Sequence, residues 1–242
     1  MCGICSLNNS LLHPSKQLQQ LYAKKCYQGQ NPAKAEIIFV GIDANWVCDI
    51  DCEKKYQKTW PLVKKYLDNG VTFWEDHGFH HPFLSPYYEG DKRRGGVQYH
   101  RKFKRIYTKY GISPSTLINS VSFVELVGFP TIGSSTKNKS ALNQLIYSTD
   151  NRSHLKQLDE KLNDSSKKIF IAHTVAKEFQ KISKQPDLGL FQIFRNKDLS
   201  VSKDQSKGDV FFKIPETTIY VHSHFSCRGF KESVLQKIAQ NI

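Results

Sequence analysis

Polar residues that could perform acid–base chemistry follow the predicted strands of this sequence. Asp43 comes just after an apolar run that ends at Gly41, Asn119 lies on a second run, and His224 follows the last one. In open parallel sheets, ligands bind beyond the carboxyl ends of the strands, so we expect these side chains to meet. A carboxylate stabilises a developing cation or activates water, and an imidazole donates to a developing anion. The three residue types therefore suit a reaction that separates charge between two fragments.

The hydrophobic pattern predicts the elements that position these residues. Four short apolar runs indicate strands, and amphipathic helical patterns lie between several of them, which favours a parallel sheet. The predicted strands are 35–41, 117–126, 168–172 and 217–221. The predicted helices are 15–26, 59–67, 99–110, 140–146, 152–162, 175–182 and 231–242. We therefore expect a three-layer α/β/α sandwich with a central, mainly parallel, four-stranded sheet.

Length and charge narrow the class of protein. The chain has 242 residues, of which 39% are hydrophobic, and this is enough for one packed core. We expect a single domain over residues 1–242 and a monomer. A net charge of +13 favours a polyanionic partner, with nucleic acid first, although a lysine-rich surface without such a partner is the alternative. We find no apolar run of the roughly 18 to 20 residues that a membrane span needs, and no signal peptide, so we expect a cytoplasmic protein without membrane partners.

Three motifs at the strand ends resemble those of the uracil-DNA glycosylase superfamily. Gly41 and Asp43 match the start of the family's G-Q-D-P-Y-H motif after the first strand. Asn119 matches the asparagine of L-L-N on the second strand, and His224-x-Ser226 matches the H-x-S of H-P-S-P-L-S after the last. The chain is thus similar to a divergent member of this superfamily.

The resemblance implies a monofunctional DNA glycosylase that needs no cofactor and acts in base-excision repair. Its substrate would be uracil, or a related deaminated base, flipped out of DNA. Asp43 would position or activate water and stabilise the sugar cation, while His224 would hydrogen-bond the developing charge on the uracil carbonyl. Asn119, with a paired donor and acceptor, would bind the uracil edge.

The resemblance also implies further contacts with the base and with DNA. Phe83 would stack on the flipped base, and Phe225 would fill the vacated stack. The other expected substrate-binding residues are Gly41, Ile42, Asn45, His222 and Ser226. The other expected DNA-binding residues are Arg93, Arg94, Arg101, Lys102 and Arg228.

Several departures from the family pattern leave alternatives open. Asn45 stands where a tyrosine excludes the thymine methyl group in the best-known branch, so the base could instead be hypoxanthine or xanthine. A nucleic-acid-binding relative without catalysis is the alternative from another class. His222 competes with His224 for the catalytic position. Asp43 could be a helix N-cap, and Glu125 could be a second carboxylate or an ordinary salt-bridge partner.

The N-terminal cysteines raise two other possibilities. Cys2-x-x-Cys5 resembles the start of the cysteine set that binds an iron–sulfur cluster in some glycosylases, but the later pair is missing near the second strand. The sequence Met1-Cys2-Gly3-Ile4 also resembles the nucleophile context of class II glutamine amidotransferases. The glutamine-binding segments of that class are not found in the sequence, and we expect neither a metal nor this activity.

Overall fold

A mixed six-stranded sheet forms the centre of the fold in the computed structural model, which describes residues 9–91, 95–132, 138–202 and 205–242. The strands are β1 (Tyr27–Gly29), β2 (Ile37–Asn45), β3 (Val121–Thr131), β4 (Lys168–Ala172), β5 (Phe211–Lys213) and β6 (Ile219–His222). Their order across the sheet is β1-β3-β2-β4-β6-β5. The four inner strands are parallel, and β1 and β5 pair antiparallel at the two edges.

The predicted count of four strands is therefore wrong for the sheet as a whole. The parallel strands are the four that the apolar runs indicated; β4 has the predicted bounds, and the ends of the other three are shifted. The two edge strands have three residues each, and so short a segment carries no readable alternation of hydrophobic residues.

Helices cover both faces of the sheet, in agreement with the predicted layered α/β arrangement. In the described part of the chain they are α1 (Lys16–Lys24), α2 (Trp60–Asp68), α3 (Gly70–His77), α4 (Gly95–Lys109), α5 (Pro114–Ser120), α6 (Lys139–Ile146), α7 (Thr149–Leu162), α8 (His173–Ser183) and α9 (Glu232–Asn241). Within the ranges that the structure describes, no helix is both long enough and apolar enough to cross a membrane.

The alternation of side chains along β2 assigns each face its own core. Ile38 and Val40 pack with residues of α6, α7 and α8. Ile37 and Phe39 point to the other face, where residues of α4, α5 and α9 cover them. Because successive strand residues face opposite ways, Gly41 and Asp43 continue the second face and Ile42 the first. We call the second face the aromatic face, after the stacked or edge-on contacts of Phe39 with its neighbours.

The predicted strand 117–126 begins later than expected. Residues Pro114–Ser120 form α5, and β3 starts at Val121. Ser113 precedes the helix as its N-cap residue, and Pro114 occupies the first turn, where its missing N–H has no cost. Asn119 therefore lies on a helix at the amino end of β3, although the sequence placed it on the strand.

Candidate functional site at the carboxyl edge of the sheet

Glu125 and Gly41 form the floor of the candidate site. The two residues are paired in the parallel register of β2 and β3, and both continue the aromatic face. The carboxyl group of Glu125 lies directly over the Cα atom of Gly41, so a Cβ atom at position 41 would overlap Glu125 Oε2. Only glycine at position 41 leaves the space that this side chain occupies.

Asp43 supplies a second carboxyl group beside Glu125. It lies two residues beyond Gly41 on the same strand face and is partly buried. The hydroxyl group of Thr131 on β3 donates a hydrogen bond to Asp43 Oδ2 over 2.5 Å. The register of β2 against β3 shifts between Asp43 and Ala44. Such irregularities re-aim side chains near binding sites.

The surroundings of Glu125 favour the protonated form of its carboxyl group. Burial, and then the charge of Asp43, raise the pKa of Glu125 well above its usual range. Two close carboxyl groups resist simultaneous ionisation, so one of them keeps its proton. The raised pKa of Glu125 favours the proton on Glu125, and a hydrogen bond from the Thr131 hydroxyl favours the negative charge on Asp43.

Three tyrosine hydroxyls interact electrostatically with the Glu125 carboxyl group. Burial, with a further contribution from the charge of Glu125, raises the pKa values of Tyr22, Tyr66 and Tyr99, which therefore remain neutral. The Tyr22 hydroxyl accepts a hydrogen bond from Trp46 Nε1 over 2.9 Å. The buried Tyr66 hydroxyl has no hydrogen-bond partner within the described residues. A buried hydroxyl without a hydrogen-bond partner lowers the stability of the folded protein. A polar ligand that hydrogen-bonds to the hydroxyl would offset this cost.

His224 presents a neutral N–H donor at the same edge of the sheet. The backbone N–H of Ser226 donates to His224 Nδ1 over 3.1 Å, so the ring proton lies on Nε2. Burial, assisted by the nearby charge of Lys102, lowers the pKa of His224 to about 4. The centroid of the His224 ring lies 5.7 Å from that of the Tyr99 ring. The charge of Glu125 contributes to the raised pKa of Tyr99. Tyr99 thus contacts the His224 ring and also interacts electrostatically with Glu125 of the carboxyl pair.

His222 and Phe225 are core residues. His222 is buried on the aromatic face, and its Nδ1 lies 2.7 Å from the carbonyl oxygen of Ser223. Phe225 is completely buried, with ring centroids 5.0 Å from His222 and 4.9 Å from Tyr99. This burial contradicts the expected role of Phe225 as a wedge between DNA bases, because a wedge must be at the surface. Of the two histidines that competed, the geometry favours His224.

The other residues near β2 differ in their access to the site. Phe83 is buried against the rings of Trp46 and His81, at 5.7 Å and 5.1 Å between centroids. Asn45 is exposed at the end of β2. Ile42 packs into the core of the opposite sheet face, so its side chain does not reach the carboxyl pair.

Asn119 is not brought together with Asp43 and His224. Its side chain is exposed on α5, and its backbone carbonyl accepts from Gln30 Nε2 over 3.2 Å. Parallel strands place their amino ends at one edge of the sheet and their carboxyl ends at the other. A residue that precedes β3 therefore lies at the edge opposite Asp43, and Asn119 does not line this site.

The predicted DNA-binding residues fall into three groups. Arg101 and Arg228 are exposed. Lys102 is half-buried, with its Nζ atom 4.4 Å from the centroid of the Phe230 ring. Arg93 and Arg94 lie outside the described residues.

The main residue that sequence reasoning undervalued is Glu125. Its signal was an acidic residue in the middle of a largely apolar strand, Val121–Thr131. A buried charge there costs free energy unless it is paired or hydrogen-bonded. Tyr66 and Tyr99 carried no separate signal, because tyrosine is common on the buried faces of helices.

No metal centre accompanies this site in the part of the chain that the structure describes. There, no group of three or more histidine, cysteine, aspartate or glutamate residues is arranged to hold a metal ion. Cys2 and Cys5 lie outside the described residues. Comparison of the chain with protein-family models, with curated proteins and with solved structures found no match.

Proposed function

We propose that this protein is a DNA glycosylase that hydrolyses the N-glycosidic bond of uracil, or a related deaminated base, flipped out of DNA. The observation that carries the proposal is the carboxyl pair of Asp43 and Glu125, which shares the sheet edge with a neutral His224. The motif resemblance at Gly41, Asp43 and His224-x-Ser226 and the charge of +13 support the same function. In the proposal the fold is a divergent form of the uracil-DNA glycosylase fold.

Cleavage of the glycosidic bond leaves positive charge on the sugar and negative charge on the base. The anionic carboxylate of Asp43 stabilises the sugar cation and accepts a proton from the attacking water. The Thr131 hydroxyl holds this carboxylate by its Oδ2 atom, so its orientation is set before the substrate arrives. Positioned acid–base groups contribute about 100- to 10,000-fold to rate.

His224 acts on the leaving base. A neutral imidazole that donates from Nε2 stabilises the negative charge that develops on a base carbonyl oxygen. The pKa of about 4 keeps His224 neutral at physiological pH. It is therefore an electrophilic donor and not a proton source.

Glu125 and Tyr66 supply groups for recognition of the base. A protonated carboxyl group offers one donor and one acceptor, which are the same groups that an amide offers. They match an N–H beside a C=O, an edge that uracil and hypoxanthine share. Glu125 thus takes the role that the sequence assigned to Asn119.

Base release from synthetic oligonucleotides tests the proposal. Single- and double-stranded substrates that contain uracil, hypoxanthine or xanthine are incubated with the protein, and abasic sites are detected by alkaline strand scission. We expect release of at least one base. Asp43→Asn and His224→Gln should each lower the rate about 100-fold or more.

Two further variants separate the roles at the two edges of the sheet. Glu125→Ala should lose most activity, whereas Asn119→Ala, a matched change at the opposite edge, should keep it. If no base is released above the level of Asp43→Asn, the glycosylase proposal fails. Salt-dependent binding of DNA without release of a base would then favour the alternative, a nucleic-acid-binding relative without catalysis.

A further inference from the structure

A second candidate site lies on the other side of β3, around Cys26 and His154. The thiol of Cys26, which follows α1, is 3.1 Å from Nδ1 of His154 on α7. His154 Nε2 is 2.7 Å from the backbone carbonyl oxygen of Glu125. Because a carbonyl can only accept, Nε2 carries the ring proton, and Nδ1 faces the thiol with its lone pair. A thiol, a base and a group that orients the base are the parts of an activated nucleophile.

The imidazole ring is held in this orientation by packing. A Cβ atom at Gly128 would lie 2.9 Å from His154 Cγ, so the strand backbone contacts the ring closely. Most of the His154 side chain is enclosed, and burial lowers its pKa. The ring therefore has little freedom to turn Nδ1 away from Cys26.

Cys26 and His154 line a cavity of about 280 Å³. Leu12, Phe129 and Pro130 give the cavity apolar walls, and Gln19 and Gln157 add amide groups. This volume is just below the range typical of ligand pockets, so it suits a small molecule. The titratable side chains near the pair are Tyr22 on α1, Tyr27 on β1 and Asp150 on α7.

We propose that Cys26 and His154 form a thiol–imidazole pair that reacts with small hydroperoxides entering this cavity. The sulfur attacks the terminal peroxide oxygen, an S–O bond forms and the O–O bond breaks. His154 takes the thiol proton and passes it to the departing oxygen, which leaves as an alcohol or as water. The sulfur is oxidised to a sulfenic acid and the peroxide is reduced.

The pair is neutral at rest, which gives the reaction a distinctive pH dependence. Burial raises the pKa of the Cys26 thiol, so little thiolate exists at neutral pH. Attack assisted by His154 needs a neutral imidazole instead, and the lowered pKa extends its neutral form to lower pH. An unassisted thiol reacts through its thiolate, whose fraction falls tenfold for each pH unit below the thiol pKa. Cys48, an exposed thiol whose pKa is also raised, provides this comparison within the same chain.

The test measures oxidation of each cysteine in the full chain. The protein is treated with hydrogen peroxide between pH 6 and 8, catalase stops the reaction, and a cyclic 1,3-diketone traps sulfenic acid at one common pH for mass spectrometry. We expect the Cys26 rate to change less than threefold over this range, whereas the Cys48 rate falls about tenfold for each unit by which the pH is lowered. A Cys26 rate that falls in parallel with the Cys48 rate would overturn the proposal.

Two variants test the base and the cavity separately. His154→Gln should slow oxidation of Cys26 at least tenfold, since it removes the proton acceptor. If that variant does not fold, the pH profile of the unmodified protein still decides. Ala23→Phe, at an exposed position that lines the cavity, should slow the reaction with cumene hydroperoxide while the pair stays intact. An unchanged rate in both variants would show that the thiol reacts without the pair.

Discussion

Replacement of Glu125 by glutamine should make the protein more stable at neutral pH than the unmodified chain. Glutamine keeps the size of the protonated glutamate and its donor and acceptor, but it cannot ionise. In the folded protein, burial and Asp43 raise the pKa of Glu125. In the unfolded chain the same group titrates near its ordinary value of about 4.3. Between these two pKa values only the folded state holds the proton.

The size of the effect follows from proton linkage. When the unfolded state has lost one proton that the folded state retains, the free energy of unfolding falls by about 1.4 kcal/mol for each pH unit. This loss begins at the unfolded pKa and continues upward until Glu125 ionises in the folded protein. Over a pH interval from 5 to 7 in which folded Glu125 keeps its proton throughout, this loss amounts to about 2.5 kcal/mol relative to Glu125→Gln. A typical domain has a total stability of about 5–15 kcal/mol, so the difference is easily measured.

Urea unfolding at pH 5, 6 and 7 measures this difference. Glu75→Gln, the same substitution at an exposed position on α3, is the matched control. The reasoning is refuted if the stability curves of Glu125→Gln and the unmodified protein run parallel over this range. That result would mean that Glu125 is ionised in the folded protein.

Three further predictions concern packing, the polar network and DNA binding. Gly41→Ala should lower the free energy of unfolding by about 1–3 kcal/mol through overlap with Glu125, and adding Glu125→Ala should restore most of it in urea unfolding. Asn151→Ala should cost about 3 kcal/mol in the same assay, because its buried amide bonds three backbone groups; a loss below 1 kcal/mol would contradict this. Arg101→Ala should reduce the slope of log affinity against log salt by about one. Arg105→Ala should leave the slope unchanged, since an ion pair already holds its guanidinium group, and equal slopes for the two variants would refute the assignment.

The parallel part of the sheet could be predicted because its strands are buried on both faces. Residues 169–172 are continuously apolar and buried, and β4 has the predicted bounds. The edge strands β1 and β5 could not be predicted in this way, since each is defined by its pairing with a neighbour. The helix α3 was also missed, because it follows α2 almost directly and lies in a segment without sustained periodicity.

The site could be predicted only where residue type and strand end coincided. Asp43 and His224 follow recognisable strands, so their place at the carboxyl edge could be inferred. Asn119 could not be placed correctly, because a shift of a few residues in the start of β3 moves it to the other edge. The burial of Phe225 depends on contacts with Phe39 and Tyr99, which are distant in the sequence.

The sequence by itself determined the residue types at the ends of the strands, the apolar runs that form the parallel sheet and the charge of +13. These properties belong to single residues, to short segments or to sums over the chain, so they follow from the amino-acid sequence alone. Only the tertiary structure decided that Glu125 is a partner of Asp43, that His224 holds its proton on Nε2, and that Cys26 meets His154. Each of these depends on register or on contact between distant segments, and such contacts set the protonation states on which the chemistry depends.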